Sequence, residues 1–147
     1  ALVAIAGFTT ISLTSCTKDD VVCAVGLEGK NCDQEVREKY YNSYVGSGTA
    51  MIAGELETFT DWELSFTERG TDPTGLKLEL RTYDDELVVK GNAHLKTNTT
   101  FRLEETSMPG GFIYTGDGSV NENSASLTLT EDLSGDKITI TFTNMSK

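Results

Sequence analysis

Residues 76 to 81 read Leu76-Lys77-Leu78-Glu79-Leu80-Arg81, a strict alternation of leucine with a charged residue. Successive side chains of a β-strand point to opposite faces, so this pattern predicts a strand with one apolar and one solvated face. The same period of two occurs between Asp61 and Glu68. There Trp62, Leu64 and Phe66 would share the apolar face, and the chain is therefore predicted to contain β-sheet.

Six further segments alternate in the same way and are separated by turns rich in Gly, Asp, Asn and Pro. The first runs from Val45 to Ile52 and contains Gly46 and Gly48. The predicted inward-facing residues of the other five are Leu87, Val89, Gly91, Ala93 and Leu95; Phe101 and Leu103; Phe112, Tyr114, Gly116, Gly118 and Val120; Leu127 and Leu129; and Ile138, Ile140 and Phe142.

Eight short strands joined by brief loops predict an antiparallel meander. With no helical layer to cover its apolar face, such a sheet must curl on itself, and an eight-stranded up-and-down barrel does this without leaving edges. A two-sheet β-sandwich is the alternative fold. The inward glycines have two interpretations, because they would either relieve crowding where strands bend or leave an open cavity.

The chain of 147 residues has 12 Lys and Arg against 23 Asp and Glu, a formal net charge of −11. This acidity disfavours binding to nucleic acid or to anionic lipid head groups, and it suits a soluble surface. The length after residue 15 fits one domain with a short N-terminal module.

The first 15 residues are apolar or small, and no charged residue precedes Lys18. We interpret them as the apolar part of a signal peptide, too short to span a bilayer, with the start of the precursor expected to be missing. The sequence Leu13-Thr14-Ser15-Cys16 resembles the bacterial lipobox, which implies lipidation of Cys16 and a membrane anchor through its acyl chains. Lys18-Asp19-Asp20 resembles the acidic export tag of Bacteroidota surface lipoproteins. Residues 16–22 would then be a lipidated linker on the outer face of the outer membrane.

If Cys16 carries lipid, Cys23 and Cys32 remain as a pair, and we expect a disulfide between them. A metal site is not expected from two thiols and a distant single histidine, His94. The spacing C-x-x-G-apolar-x-G-x-x-C over residues 23–32 resembles the last hairpin of an EGF-like module. Other cysteines of such a module are absent, so neither a calcium site nor a receptor partner is carried over.

Residues 33–43 are predicted to form a short helix, with acidic residues in its first turn and Lys39 near its end. Val36, Tyr40 and Tyr44 would form one apolar stripe that packs on the barrel, which is predicted to occupy residues 44–147.

The order of these elements resembles a group of Bacteroidota surface lipoproteins with a calycin-like, or lipocalin-like, barrel. The similarity rests on four short motifs: Val36-Arg37-Glu38-Lys39, Tyr44-Val45-Gly46-Ser47-Gly48, Gly116-Asp117-Gly118-Ser119-Val120 and Leu127-Thr128-Leu129. True lipocalins carry Gly-x-Trp in the first strand, whereas Trp62 falls in the second, so their ligand residues are not transferred. The resemblance implies a fold and a location, but no activity.

No arrangement of residues predicts catalysis, a metal site or a cofactor. His94 lies on a predicted polar face between Asn92 and Lys96, with no acid or nucleophile at a telling spacing. The segment that begins at Asp117 lacks the glycine and the bidentate glutamate of a calcium loop. The pairs Asp84-Asp85 and Glu104-Glu105 are adjacent, and adjacent strand residues face opposite ways.

We therefore expect a noncatalytic interaction module that binds a protein or a glycan through loops such as Gly70 to Gly75 and Ser107 to Gly111. The alternative is a carrier of a small apolar ligand inside the barrel. Its candidate lining residues are Trp62, Phe66, Leu78, Val89, Phe101, Tyr114 and Phe142.

Overall fold

The computed structural model describes residues 21 to 147. The predicted signal peptide, the lipidation site Cys16 and the linker as far as residue 20 lie outside the described residues. The core cluster draws all its members from the segment between Val36 and Met145. The hydrophobic core of the described residues thus lies within one segment, which is expected to fold as a unit.

The N-terminal module, residues 23–42, precedes the barrel. Its disulfide joins Cys23 to Cys32. Two short strands, β1 (Leu27–Glu28) and β2 (Gln34–Glu35), pair in antiparallel fashion and lead directly into a 3-10 helix, Val36–Tyr40.

This helix is shorter than the predicted segment 33–43. Gln34 and Glu35 pair with β1, so the helix begins only at Val36. Val36 and Tyr40 are buried, as the predicted stripe requires, but Tyr44 belongs to the first barrel strand. Pairing within the module therefore competes with the helical pattern of the sequence.

Eight antiparallel strands form a closed barrel, which confirms the predicted fold class. They are β3 (Ser43–Ile52), β4 (Glu55–Glu68), β5 (Gly75–Arg81), β6 (Leu87–Thr97), β7 (Thr100–Met108), β8 (Phe112–Val120), β9 (Ser124–Leu133) and β10 (Asp136–Ser146). Each strand pairs with its neighbours in sequence, and β3 pairs with β10 to close the barrel. The sandwich alternative is therefore wrong.

Local irregularities change two details of the predicted strands. Strand β4 begins at Glu55 rather than Asp61 and continues through an irregular position at Asp61, whose φ is 56°. A register shift between β5 and β6 places Leu87 opposite Arg81, and Leu87 is exposed. Leu87 is therefore on the outer face, and its predicted inward orientation is wrong, because one irregular residue inverts the alternation.

The up-and-down order gives the barrel two different ends. The covered end contains the start of β3 and the turns at residues 69–74, 98–99 and 121–123, and the N-terminal module lies over it. The open end contains the turns at residues 53–54, 82–86, 109–111 and 134–135. Ala53-Gly54 and Ser134-Gly135 have positive φ at both residues, as tight type I′ hairpin turns require.

Candidate functional site

The seven residues predicted to line a ligand cavity lie in the interior of the barrel. Six of them are at most 4% exposed, and Trp62 is partly buried against the same cluster. Ring centroids of Phe66 and Phe101 lie 5.0 Å apart, and those of Trp62 and Phe142 lie 5.4 Å apart. The structure thus places six of the seven in one hydrophobic cluster and Trp62 against it.

Neighbouring side chains fill the space beside two of the inward-facing glycines. A Cβ atom on Gly48 would lie 2.6 Å from the ring of Phe142, and one on Gly118 would lie 2.5 Å from the ring of Phe101. Both distances are far below an ordinary carbon contact, so each ring fills the space that a side chain would need. These glycines therefore allow close packing, the first of the two interpretations left open by the sequence.

Hydrogen bonds from the N-terminal module hold two of the three turns at the covered end. Arg37, 2% exposed, donates to the carbonyl oxygens of Arg69 (2.9 Å), Gly70 (3.0 Å) and Gly75 (2.8 Å). The Tyr40 hydroxyl donates to the carbonyl oxygen of Asn98. The amide N–H of Gly26 donates to the side-chain oxygen of Asn98 at 2.8 Å.

The third turn at this end is reached from the first barrel strand, since the Tyr44 hydroxyl donates to the carbonyl oxygen of Asn121 at 2.8 Å. Burial raises the pKa of both Tyr40 and Tyr44, so each stays protonated as a donor. Each of the three turns at this end thus has a backbone carbonyl that accepts a hydrogen bond from Arg37, Tyr40 or Tyr44.

The open end has no such cover within the described residues. Inward-facing side chains there are only partly buried, and they form a set that we call the mouth: Ile52, Phe59, Trp62, Val88, Met108, Phe112 and Ile138. Six exposed apolar residues on nearby strand and turn positions form the rim: Met51, Leu56, Tyr83, Leu87, Ile113 and Leu133. Leu56 is 66% exposed and Tyr83 is 72% exposed. Exposed apolar side chains gathered at one end of a domain are typical of a binding surface.

Acidic side chains surround the open end. Its residues 51–57, 81–88, 107–113 and 131–138 contain eight Asp and Glu and two basic residues, a net charge of −6. The acidic residues are Glu55, Glu57, Asp84, Asp85, Glu86, Glu131, Asp132 and Asp136. The open end therefore combines an apolar centre with a negative periphery.

One of these carboxylates, Glu131, belongs to the inner face of the barrel. It pairs in register with Tyr114 and Ile138, both inward-facing, and its Oε2 accepts a hydrogen bond of 2.7 Å from the Tyr114 hydroxyl. Burial, with the adjacent Glu131, raises the pKa of Tyr114. Among the described residues, no basic group lies within 4 Å of Glu131.

His94 lies on the outer wall near the covered end. Its Nδ1 is 3.4 Å from Glu104 Oε2, and Arg69 binds the same oxygen. The hydrogen bond from Arg69 lowers the pKa of Glu104. Arg69, His94 and Glu104 border a surface cleft of about 520 Å³ with the turn at residues 69–75. A carboxylate held ionised by an arginine is a poor general acid or base near neutral pH, and the arrangement is an exposed ion-pair cluster.

The two loops predicted to bind a partner lie at opposite ends. Gly70 to Gly75 belongs to the covered end, where its carbonyls accept hydrogen bonds from Arg37, whereas Ser107 to Gly111 belongs to the open end. They cannot form one surface. Of the open end, only the loop from Ser107 to Gly111 was predicted from the sequence as a binding surface. The signal for the whole end is present, since three turns at this end have acidic residues beside them and alternate turns of a meander share an end.

Within residues 21 to 147, no three His, Cys, Asp or Glu side chains come close enough to hold a metal ion. The part of the chain that the structure describes has no helix of the length and hydrophobicity needed to cross a bilayer.

No protein-family model matches this sequence, and no curated protein matches it. A solved structure from Bacteroides fragilis, of a protein provisionally assigned to the outer membrane, is similar in fold, with a TM-score of 0.54 and 13% sequence identity. The match covers 76% of this chain and 52% of that protein, so the chain spans about half of its neighbour's length. At this identity the comparison shows a shared fold.

Proposed function

We propose that this protein is a noncatalytic lipoprotein of the outer-membrane surface whose barrel binds a protein or a glycan through its open end. The observation that carries the proposal is the contrast between a filled interior and an exposed apolar mouth. Rings occupy the space beside Gly48 and Gly118, whereas seven apolar side chains at the open end are only partly covered. A filled interior argues against the alternative function, a carrier of a small apolar ligand.

The proposed location rests on the lipobox at Cys16, the acidic residues after it, and the outer-membrane assignment of the structural neighbour. Seven residue steps separate Cys16 from Cys23, a maximum span of about 25 Å. Cys23 belongs to the module over the covered end. The lipid anchor would therefore hold the covered end toward the membrane and leave the open end directed outward.

The location is tested by protease treatment of intact cells that express the full chain. Degradation of the barrel without cell lysis is expected, and full protection would contradict the surface assignment. Replacement of Cys16 by Ser should release the protein from the membrane fraction.

Binding is tested by site-specific photocrosslinking on the same cells. A photoreactive amino acid replaces Leu56 at the open end or, as the matched control, Lys30 in the exposed N-terminal module. Adducts with a protein or glycan are expected from position 56 and not from position 30. Adducts from position 30 alone would move the binding surface to the covered end.

The carrier alternative is tested through Trp62, the only tryptophan. A fatty-acid series added to residues 21–147 should leave the Trp62 emission unchanged while the protein melts cooperatively. Saturable binding that is lost in Trp62→Ala would support the carrier instead.

A further inference from the structure

The charge of the barrel is unevenly divided between its ends. The open end has a net charge of −6, from eight acidic and two basic residues. The covered end, residues 23–42, 68–74, 98–99, 121–123 and 147, has seven acidic and five basic residues, a net charge of −2. Two of its acids also have close partners, since Lys39 pairs with Glu28 and Arg37 with Glu35. The excess negative charge therefore surrounds the apolar mouth.

Few of the carboxylates at the open end are neutralised within the described residues. Arg81 contacts Asp85 at 3.5 Å but also binds Glu79, and Lys137 contacts Asp132 at 3.7 Å. Eight carboxylates share these two cations. Charges gathered around an apolar surface of low polarisability are screened less than isolated ones, and they attract a partner of opposite sign.

Glu131 extends this negative charge to the inner face of the barrel. Its known partner is a neutral hydroxyl, that of Tyr114, and its carboxylate is partly buried. Aromatic rings occupy the same end, where Phe112 stacks on Tyr114 with centroids 6.4 Å apart. A carboxylate beside aromatic rings is suited to a lysine or arginine side chain, which pairs with the acid and lies against a ring face.

The charge and the apolar mouth favour some classes of partner at the open end and disfavour others. A second copy of this chain would bring two ends of charge −6 together, and anionic lipid or nucleic acid would be repelled in the same way. A neutral apolar ligand would bury Glu131 without a counter-charge, at a large desolvation cost. A cationic polypeptide with apolar side chains satisfies both the acids and the mouth.

We propose that the open end binds a cationic, amphipathic segment of a protein partner, whose apolar residues cover the mouth while one basic side chain pairs with Glu131. This inference rests on the proposed function, and it adds the chemistry of the partner. Electrostatic complementarity of this kind sets specificity and association rate more than raw affinity.

The experiment titrates residues 21–147 with a fluorescent amphipathic peptide of lysine and leucine, read by anisotropy. A peptide of glutamate and leucine with the same pattern is the charge control. Saturable binding of the lysine peptide alone is expected, with an affinity that falls as NaCl rises from 50 to 500 mM.

Two variants that each lose one negative charge distinguish a specific site from general attraction to an acidic protein. Glu131→Gln keeps the acceptor for Tyr114 but removes the charge, and it is expected to weaken binding about fivefold or more. Glu122→Gln removes one charge from an exposed turn at the covered end and should change affinity less than twofold. Leu56→Ser should weaken binding, whereas Val45→Ser, at an exposed position on the first strand near the covered end, should not.

Equal losses in Glu131→Gln and Glu122→Gln would overturn the proposal, because they would show attraction to the net charge alone. Equal binding of the glutamate peptide would also overturn it, as would the absence of binding. A glycan or an acidic protein crosslinked at position 56 of the intact cell would overturn this inference and leave the proposed function standing. Crosslinks at neither position 56 nor position 30 would remove both.

Discussion

The two ends of the barrel satisfy the polar backbone groups of their turns in different ways. At the covered end, the turns present carbonyl groups that are satisfied by Arg37, Tyr40 and Tyr44, buried side chains from the segment before and at the start of the barrel. At the open end, tight turns such as Ala53-Gly54 need no outside partner. The open end therefore stays uncovered, although apolar side chains are exposed there. The covered end thus contributes contacts that stabilise the fold, and the open end is the surface that we propose for binding.

The largest loss of stability is expected when the central contact of the covered end is removed. Arg37→Met should lower the free energy of unfolding by about 3 kcal/mol, because three carbonyl groups lose their donor and Glu35 loses its ion partner. Urea denaturation followed by Trp62 emission measures it. Arg102→Met, which removes an exposed ion pair with Asp117 from the outer wall, should lower the free energy of unfolding far less, because solvent screens the pair. Equal losses in the two variants would show that the contacts of the covered end stabilise the protein no more than an exposed ion pair does.

The second effect tests whether the hairpin of the N-terminal module supports that cover. Replacing both Cys23 and Cys32 by Ser should lower the free energy of unfolding by about 2–3 kcal/mol, because the unfolded chain is no longer constrained. Thermal melting with and without the disulfide measures the change. Hydrogen exchange should increase at Gly26, whose N–H binds Asn98, and not in the turns of the open end. Increased exchange at both ends would mean that the ends are not independent.

A smaller effect concerns the ion pair of Glu104 with Arg69 beside the covered end. Its folded pKa lies below the unfolded value of about 4.3, so the pair stabilises the protein above that pH and is lost as the pH falls through the folded pKa. Glu104→Gln should therefore cost about 0.2–1 kcal/mol at pH 7 and nothing near pH 2. Stability curves from pH 2 to 7 measure it. Glu105→Gln, at the exposed adjacent position, is the control and should be neutral throughout.

The smallest effect on stability is expected at the open end. Met51→Ser and Leu56→Ser together should change the free energy of unfolding by less than about 0.5 kcal/mol, because both side chains are mostly exposed on paired strands. The same variant should bind the fluorescent lysine and leucine peptide more weakly than the unsubstituted protein does. A large loss of stability would mean that these residues serve the fold instead.

The interior of the barrel could be predicted from the sequence, because the direction of a strand side chain depends on its own position in the alternation. Leu76, Leu78 and Leu80 are fully buried, as their period of two requires. The prediction failed at Leu87, where the register shift near the turn at residues 82–86 changes the face. No residue type in that stretch predicts the register shift.

The ends were predicted less well, because they depend on contacts between distant segments. Arg37 looks solvated in the sequence, yet its acceptors are 32 to 38 residues away. The open end depends on which turns come together, and this follows only after the meander is established. From that point, the acids at Asp84, Glu131 and Asp136 could have been assigned to one end.

The pairing of β3 with β10 has a consequence for how the chain folds. Ala50 lies opposite Ile140, two residues separated by most of the barrel sequence. Such a contact closes a long loop, so we expect it to form late, after the hairpins between neighbouring strands and after the main folding barrier. Until then the chain has two unpaired strand edges, which favour misassembly during folding. Substitutions along this seam, such as Gly48→Ala against Phe142, should therefore slow folding only slightly and mainly accelerate unfolding.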